Sequence, residues 1–149
     1  MGLLDATEEH PPSKWKRRLI MVVVFIVLGG AGLWYLLRYH TEKTTIHHFL
    51  NAVVAGDMQQ AYKIWKPSQS YTFQDFLQDW GPDGYYGPVK SFNLKDTDRL
   101  KGSSGVVLTV EVSPYQPFPD KDDAVKQSKT KEVKLWVEFK DQSIGFPLD

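Results

Sequence analysis

Apolar positions along this chain follow three regimes in turn. From Leu19 to Leu37 the residues read Leu-Ile-Met-Val-Val-Val-Phe-Ile-Val-Leu-Gly-Gly-Ala-Gly-Leu-Trp-Tyr-Leu-Leu, without one charge. The run is close to the roughly 20 residues a helix needs to cross the hydrocarbon of a bilayer, and it predicts a transmembrane helix over residues 19–38. A helical period follows. Ile46, Phe49, Leu50, Val53 and Val54 have the i, i+3, i+4, i+7, i+8 spacing of an amphipathic helix, with Thr44 or Thr45 as its N-cap and Gly56 as its stop. Asp57 caps a second helix whose apolar side is Met58, Ala61, Tyr62, Ile64 and Trp65, and Pro67 ends it. Thr72 to Asp75 has the form of a capping box ahead of Phe73, Phe76, Leu77 and Trp80, which give a third short helix an aromatic face. Gly81-Pro82-Asp83-Gly84 closes that helix as a turn.

Beyond this turn the period becomes alternating. A weak strand is expected around Val89 to Leu94. Two clear strands follow, one with Val106, Leu108, Val110 and Val112 on a single face, the other with Val133, Leu135, Val137 and Phe139. Lys140-Asp141-Gln142 reads as a turn into a last short strand through Ile144 and Phe146. Between the strong strands, Ser113 to Thr130 is Pro-rich and then charged, an exposed loop or one carrying a short helical turn. The sum is an α+β chain: one N-terminal transmembrane helix, then about three helices packed on a curved, cone-like antiparallel sheet of about four strands with one apolar face. Residues 1–18 form a tail, 19–38 the span, and 39–149 one domain.

Phe49-Leu50-Asn51-Ala52-Val53-Val54-Ala55-Gly56-Asp57, continued by Ala61-Tyr62, resembles the opening of small nuclear-transport-factor-two-like or cystatin-like extracytoplasmic domains, in which a helix ends in Gly-Asp and a second follows at once. The resemblance covers roughly residues 44–149. It implies a curved sheet folded around a long helix, a scaffold used by isomerases, dehydratases, small-ligand binders and domains without catalysis. It therefore speaks to fold and leaves activity open.

The charges around the apolar run give it a direction. Lys14, Lys16, Arg17 and Arg18 precede it, whereas Arg38 and Lys43 are the nearest positive charges behind it, so the positive-inside bias puts the N-terminus in the cytoplasm and the domain outside. Trp15, Trp34, Tyr35 and Tyr39 suit the aromatic belts at the two interfaces. A cleaved signal peptide would share the order of basic, apolar and small residues, with Gly30-Ala31-Gly32 as the cleavage triplet. Leu33 to Leu37 continue the apolar run past that triplet, which favours an uncleaved anchor. Glycines 29, 30 and 32 lack the i, i+4 spacing of a helix-pairing face. Met1 to Ser13 is acidic, contains Pro11-Pro12 and reads as a flexible stub. The setting expected from this short signal-anchor is a bacterial cell membrane, with the domain on the periplasmic side and the bilayer itself contacted through Leu19 to Leu37.

Composition narrows the partners. Of 149 residues 42% are hydrophobic and five are tryptophan, enough for a folded domain in the part outside the span. A formal net charge of zero offers no basic field, so nucleic acid is disfavoured as a partner. With no cysteine, disulfides, thiolate catalysis and zinc-finger chemistry are excluded.

No constellation of reactive groups stands out. His47 and His48 point about 100 degrees apart on a helix and cannot clasp one metal; His40 and His47 could share a face but lack a third ligand. Asp96-Thr97-Asp98 fails as a calcium loop because Lys101 and Val107 occupy the positions that need Gly and Glu. Asp120, Asp122 and Asp123 read as a solvated charge run. Lys101-Gly102-Ser103-Ser104-Gly105 has neither phosphate-loop nor nucleophile-elbow spacing. Glu111 and Glu138 fall on the polar face of the sheet, leaving Asp75, Asp79 or Tyr62 to serve any catalytic pocket from the helices. Neither a metal nor a cofactor is expected.

Two groups of apolar residues are the candidate binding surfaces. Tyr71, Trp80, Tyr85, Tyr86, Tyr115 and Phe118 gather at helix ends and loops, where they would form the mouth of a cone or plug its core. Val107 and Trp136 lie on the otherwise polar sheet face, as a partner patch or as cross-strand packing. The function expected is a membrane-anchored, non-catalytic interaction module that meets a membrane or envelope protein. Binding of a small apolar ligand or lipid in the cone is the alternative, and an isomerase or dehydratase the third reading.

Overall fold

A computed structural model describes residues 13–148 and divides the chain into two units, Met1–Arg38 and Tyr39–Asp149. Apart from Ser13, the stub read from the sequence lies outside the described residues.

In the first unit, helix α1 spans Lys14–Leu37. At 1.5 Å per residue, its 24 residues give a length of about 36 Å. The Ser13 hydroxyl caps it by accepting the Lys16 backbone N–H at 3.4 Å. None of its residues is buried, and among the described residues this is the one helix long and apolar enough to cross a membrane. Its helical geometry starts five residues ahead of the uncharged run, because Lys14, Trp15, Lys16, Arg17 and Arg18 continue the same hydrogen-bonded coil. The Arg38 guanidinium lies 5.5 Å from the centre of the Trp34 ring.

The second unit is an α+β layer. Helices α2 (His40–Val54), α3 (Met58–Trp65) and α4 (Phe73–Trp80) come first. Strands β1 (Ser91–Asp98), β2 (Gly105–Ser113), β3 (Lys131–Glu138) and β4 (Ile144–Gly145) follow as an open antiparallel sheet in the order β1-β2-β3-β4. One helical turn, α5 (Ala124–Gln127), interrupts the long loop between β2 and β3.

Local signals position the helices. Gly56 adopts φ +77°, a left-handed conformation that strains a residue with a Cβ, and it separates α2 from α3. Asp57 then accepts the Gln60 N–H at 3.0 Å as the cap of α3. At α4 the capping box is complete: the Thr72 hydroxyl accepts from the Asp75 N–H at 3.2 Å, and the Asp75 carboxylate accepts from the Thr72 N–H at 2.9 Å.

α2 begins earlier than its apolar spacing predicts. Thr44 and Thr45 lie inside the helix, and its first turn is built from His40 onward with the Lys43 N–H bonded to the Tyr39 carbonyl at 3.0 Å. Glu42 takes the core-facing position one turn ahead of Ile46 and is buried there, its carboxylate accepting the Gln142 side-chain amide at 3.1 Å. A polar residue at a buried position hides that turn from a hydrophobic pattern.

β1 is likewise displaced, running Ser91–Asp98 instead of Val89 to Leu94. Its second half carries Lys95, Asp96 and Asp98 outward, and the register shifts between Leu94 and Asp96 as at a β-bulge. β3 stops at Glu138, so Phe139 leaves the ladder and stacks on Tyr39 at 6.2 Å between ring centres. β4 ends at Gly145, one residue short of Phe146.

The core joins the apolar faces. Val106, Leu108, Val110 and Val112 of β2 pack with Val133, Leu135 and Val137 of β3 beneath Ile46, Phe49, Leu50 and Val53 of α2. Phe49 is the aromatic centre, 5.1 Å from Trp65, 6.1 Å from Phe76 and 5.0 Å from Trp80. All four of these rings are buried, so the space between helix layer and sheet at this point is filled by the chain itself.

Candidate functional site

The site begins where α3 runs out. Trp65, its last residue, is buried; Lys66 turns the chain at φ +51°, and Pro67 and a short turn from Ser68 to Tyr71 follow. Opposite this segment stand the ends of β3 and β4. Trp136 pairs with Gly145 across the ladder, and Ile144 pairs with Val137. Together Trp65, Pro67, Tyr71, Trp136, Ile144, Gly145 and Phe146 line a recess of about 700 Å³, with Lys66, Ser68, Ser70, Asp141 and Ser143 adding polar groups. Trp65 stacks on Tyr71 at 5.7 Å and lies 5.3 Å from Phe146. Gly145 leaves the edge open, since a Cβ there would meet no atom within 4 Å.

The two sequence-derived residue groups meet here in part. Tyr71 and Trp136, one from each group, line the same recess. Trp80 does not reach the surface: it is fully buried, and Tyr86 stacks on it at 4.9 Å. Tyr85 is 67% exposed and meets Tyr86 edge-on. Tyr115 and Phe118 belong to a different neighbourhood. The Lys126 ammonium lies 6.0 Å from the Tyr115 ring, while Phe118 lines a second recess with Asn93, Lys95, Glu111 and Pro119 on the outer side of the sheet. The six aromatics therefore do not form one mouth, because the β2–β3 loop carries two of them away from the helix layer. Val107 faces Trp136 directly in the β2–β3 register and is half-buried. Trp65, Pro67 and Phe146 were not among the sequence-derived candidates. Trp65 and Phe146 read there only as core or strand residues, and nothing in the spacing brings α3 to the sheet edge.

Polar groups in and around the recess are held by structural hydrogen bonds. The Tyr71 hydroxyl donates to the Asp79 carboxylate at 2.6 Å, and the Tyr62 hydroxyl donates to the Tyr71 carbonyl at 2.8 Å. Burial, reinforced by the Asp79 carboxylate, pushes the Tyr71 phenol far above its ordinary range, so it stays protonated at neutral pH. Asp141 accepts the Ser143 N–H at 3.0 Å, which lowers its pKa. Asp75 is held in the capping box. Among the described residues no group of three or more His, Asp or Glu is placed to hold a metal ion.

The other candidates are separated in space. His47 packs against Phe92 at 5.5 Å between ring centres, whereas His40 and His48 line a groove between α2 and α3. Glu111 and Glu132 flank Lys95 at 3.2 and 3.0 Å, at the end of the outer sheet face remote from Val107 along β2. Glu138 accepts from the Ser104 hydroxyl at 2.9 Å and from the Trp136 indole at 3.4 Å. Asp123 caps α5 by accepting the Lys126 N–H at 3.1 Å.

What fold and site define is an α+β domain with an aromatic recess at a short sheet edge, in a chain that also carries a membrane-length apolar helix. Compared with family models, curated proteins and solved structures, the chain has no match.

Proposed function

We propose that this is a single-pass membrane protein whose N-terminus is cytoplasmic and whose C-terminal domain works outside the membrane as a non-catalytic interaction module. The observation that carries the proposal is the meeting of Tyr71 and Trp136 in one aromatic-walled recess beside the edge strand β4. Aromatic rings held by their own scaffold give large contact area at little entropic cost, which is why they anchor protein interfaces. The partner is a membrane or envelope protein, and Val107 extends the contact along the outer sheet face. Basic residues ahead of the apolar helix support the orientation. The resemblance to nuclear-transport-factor-two-like and cystatin-like domains is compatible with this role. Tyr62, Asp75 and Asp79, the groups best placed to serve catalysis, are engaged in hydrogen bonds that hold the fold.

A small apolar ligand is the second reading. It belongs in the same recess instead of the cone, because Phe49, Trp65, Phe76 and Trp80 fill the layer between helices and sheet.

The test uses the full chain carrying a photoreactive side chain at position 136 or, as a control, at exposed position 129. Crosslinking in native membranes should yield one protein adduct from position 136 that Val107→Thr with Tyr71→Ser diminishes. A retained small molecule in intact-mass spectra, without a protein adduct, favours the ligand reading. Equal adducts from both positions would remove this face as the contact.

A further inference from the structure

A second concave surface lies between α2 and α3, a groove of about 600 Å³. On α2, His40, Thr44 and His48 recur every four residues and so share one face. On the other wall stand Gln60 and Lys63 of α3, with Lys66 at its left-handed C-cap. All of these side chains can donate hydrogen bonds, and no carboxylate lines the groove. Glu42, the acid on the adjoining turn, is buried and engaged by the Gln142 amide.

The donors are largely unspent. Among the described residues, the side chains of His40, His48 and Lys63 make no hydrogen bond or ion pair within the chain. The Lys66 ammonium donates to the Asp141 carbonyl oxygen, leaving its other two N–H bonds available. The Asp141 carboxylate, outside the groove lining, feels the Lys66 charge, and among the described residues Lys63 has no such acid beside it. Two ammonium groups and several neutral donors against that single acid suit a ligand that is anionic and rich in acceptor oxygens. A phosphate group has both properties. It is large enough to bridge two helices and hydrophilic enough to remain in an open groove.

We propose that the α2–α3 groove binds a phosphate group, presented by a phospholipid headgroup or by a free phosphate anion. The lipid source draws on the membrane reading above, since His40 follows Leu37 by three residues; the groove chemistry does not depend on it.

Full-length protein in dodecyl maltoside micelles, which carry no phosphate, labelled at histidine, gives separate magnetic-resonance readouts for His40, His48 and His47. Inorganic phosphate is titrated in one arm, and phosphatidylglycerol is mixed into the micelles in the other. His40 and His48 should shift saturably in at least one arm, while His47, packed on Phe92, should not. The arm that responds identifies the source. Lys63→Gln with Lys66→Gln should weaken the response about ten-fold, the loss expected from two solvent-exposed charge-assisted hydrogen bonds. Lys129→Gln with Lys134→Gln removes the same charge elsewhere and should leave it unchanged. No shift in either arm, or equal weakening by the two double variants, would overturn the proposal, whatever the outcome of crosslinking at position 136.

Discussion

The Trp136 indole lies across Gly105, so that a Cβ on Gly105 would stand 2.5 Å from Cζ2 of the ring and would also press on the Val137 carbonyl oxygen. The glycine is required for close approach. Its absent side chain lets the ring of β3 settle over the start of β2, where the indole N–H meets Glu138 at 3.4 Å.

Gly105→Ala should displace that ring and destabilise the domain by about 1–3 kcal/mol, the usual cost of overpacking a close contact. Chemical denaturation gives the stability, and tryptophan fluorescence reports the altered environment of Trp136. An unchanged spectrum and midpoint would contradict the contact.

Phe49 is buried and meets three other aromatic rings. Phe49→Ala should cost about 3–5 kcal/mol, the range for deleting a buried aromatic side chain. Phe49→Leu should cost less than Phe49→Ala because it removes less volume. The same denaturation midpoints, compared between the two variants, check the order.

The folded-state pKa of Asp75 is lowered by the Thr72 hydroxyl and N–H. A depressed carboxylate stabilises the fold above its unfolded pKa, about 3.9, and loses that contribution as pH falls through the folded value. Acidification below about pH 4 should therefore fray the start of α4, visible as reduced protection of the Phe76 amide relative to its intrinsic exchange rate at each pH. In Asp75→Asn this pH dependence should disappear. Thr72→Ala should cost about 1 kcal/mol through loss of the cap.

Tyr71 titrates in the opposite sense. Its raised pKa favours the neutral phenol in the fold, so the stabilisation is complete below the unfolded value of 10.0 and is lost only as pH rises through the folded value. Tyr71→Phe should consequently leave the ultraviolet phenolate titration unchanged below about pH 10.5 while costing about 1 kcal/mol of stability. A lost tyrosine transition near 10 would show the phenol to be freely titratable.

Membrane orientation can be read with cysteine chemistry, since the chain has no cysteine of its own. In sealed right-side-out vesicles, an impermeant maleimide should label Lys129→Cys and spare Thr7→Cys until detergent is added. The reverse pattern would invert the proposed topology.

How much of this was legible in sequence follows from the range of each interaction. The apolar run, the Gly56-Asp57 elbow, the Thr72 capping box and the apolar faces of β2 and β3 depend on residues within about two turns or one strand of each other. They appear in linear pattern and recur in the structure. The first turn of α2 was invisible because Glu42 is buried against Gln142, a partner 100 positions away. The bounds of β1 are not visible in linear pattern, because its outward half is charged and its pairing is supplied by β2.

The candidate site shows the same division. Tyr71, Val107 and Trp136 stand out in the sequence as aromatic or apolar residues in polar surroundings. Their sequence positions could not say that Tyr71 and Trp136 would share a wall, nor that Tyr115 and Phe118 would be carried off by the β2–β3 loop. The sequence by itself determined the apolar run that can enter a bilayer, the bodies of α2, α3 and α4 and the two strong strands, because those properties arise from local periodicity. Only the tertiary structure decided which ends meet: the recess at β4 and the groove between α2 and α3 exist because packing the apolar faces brings distant polar and aromatic side chains to common edges.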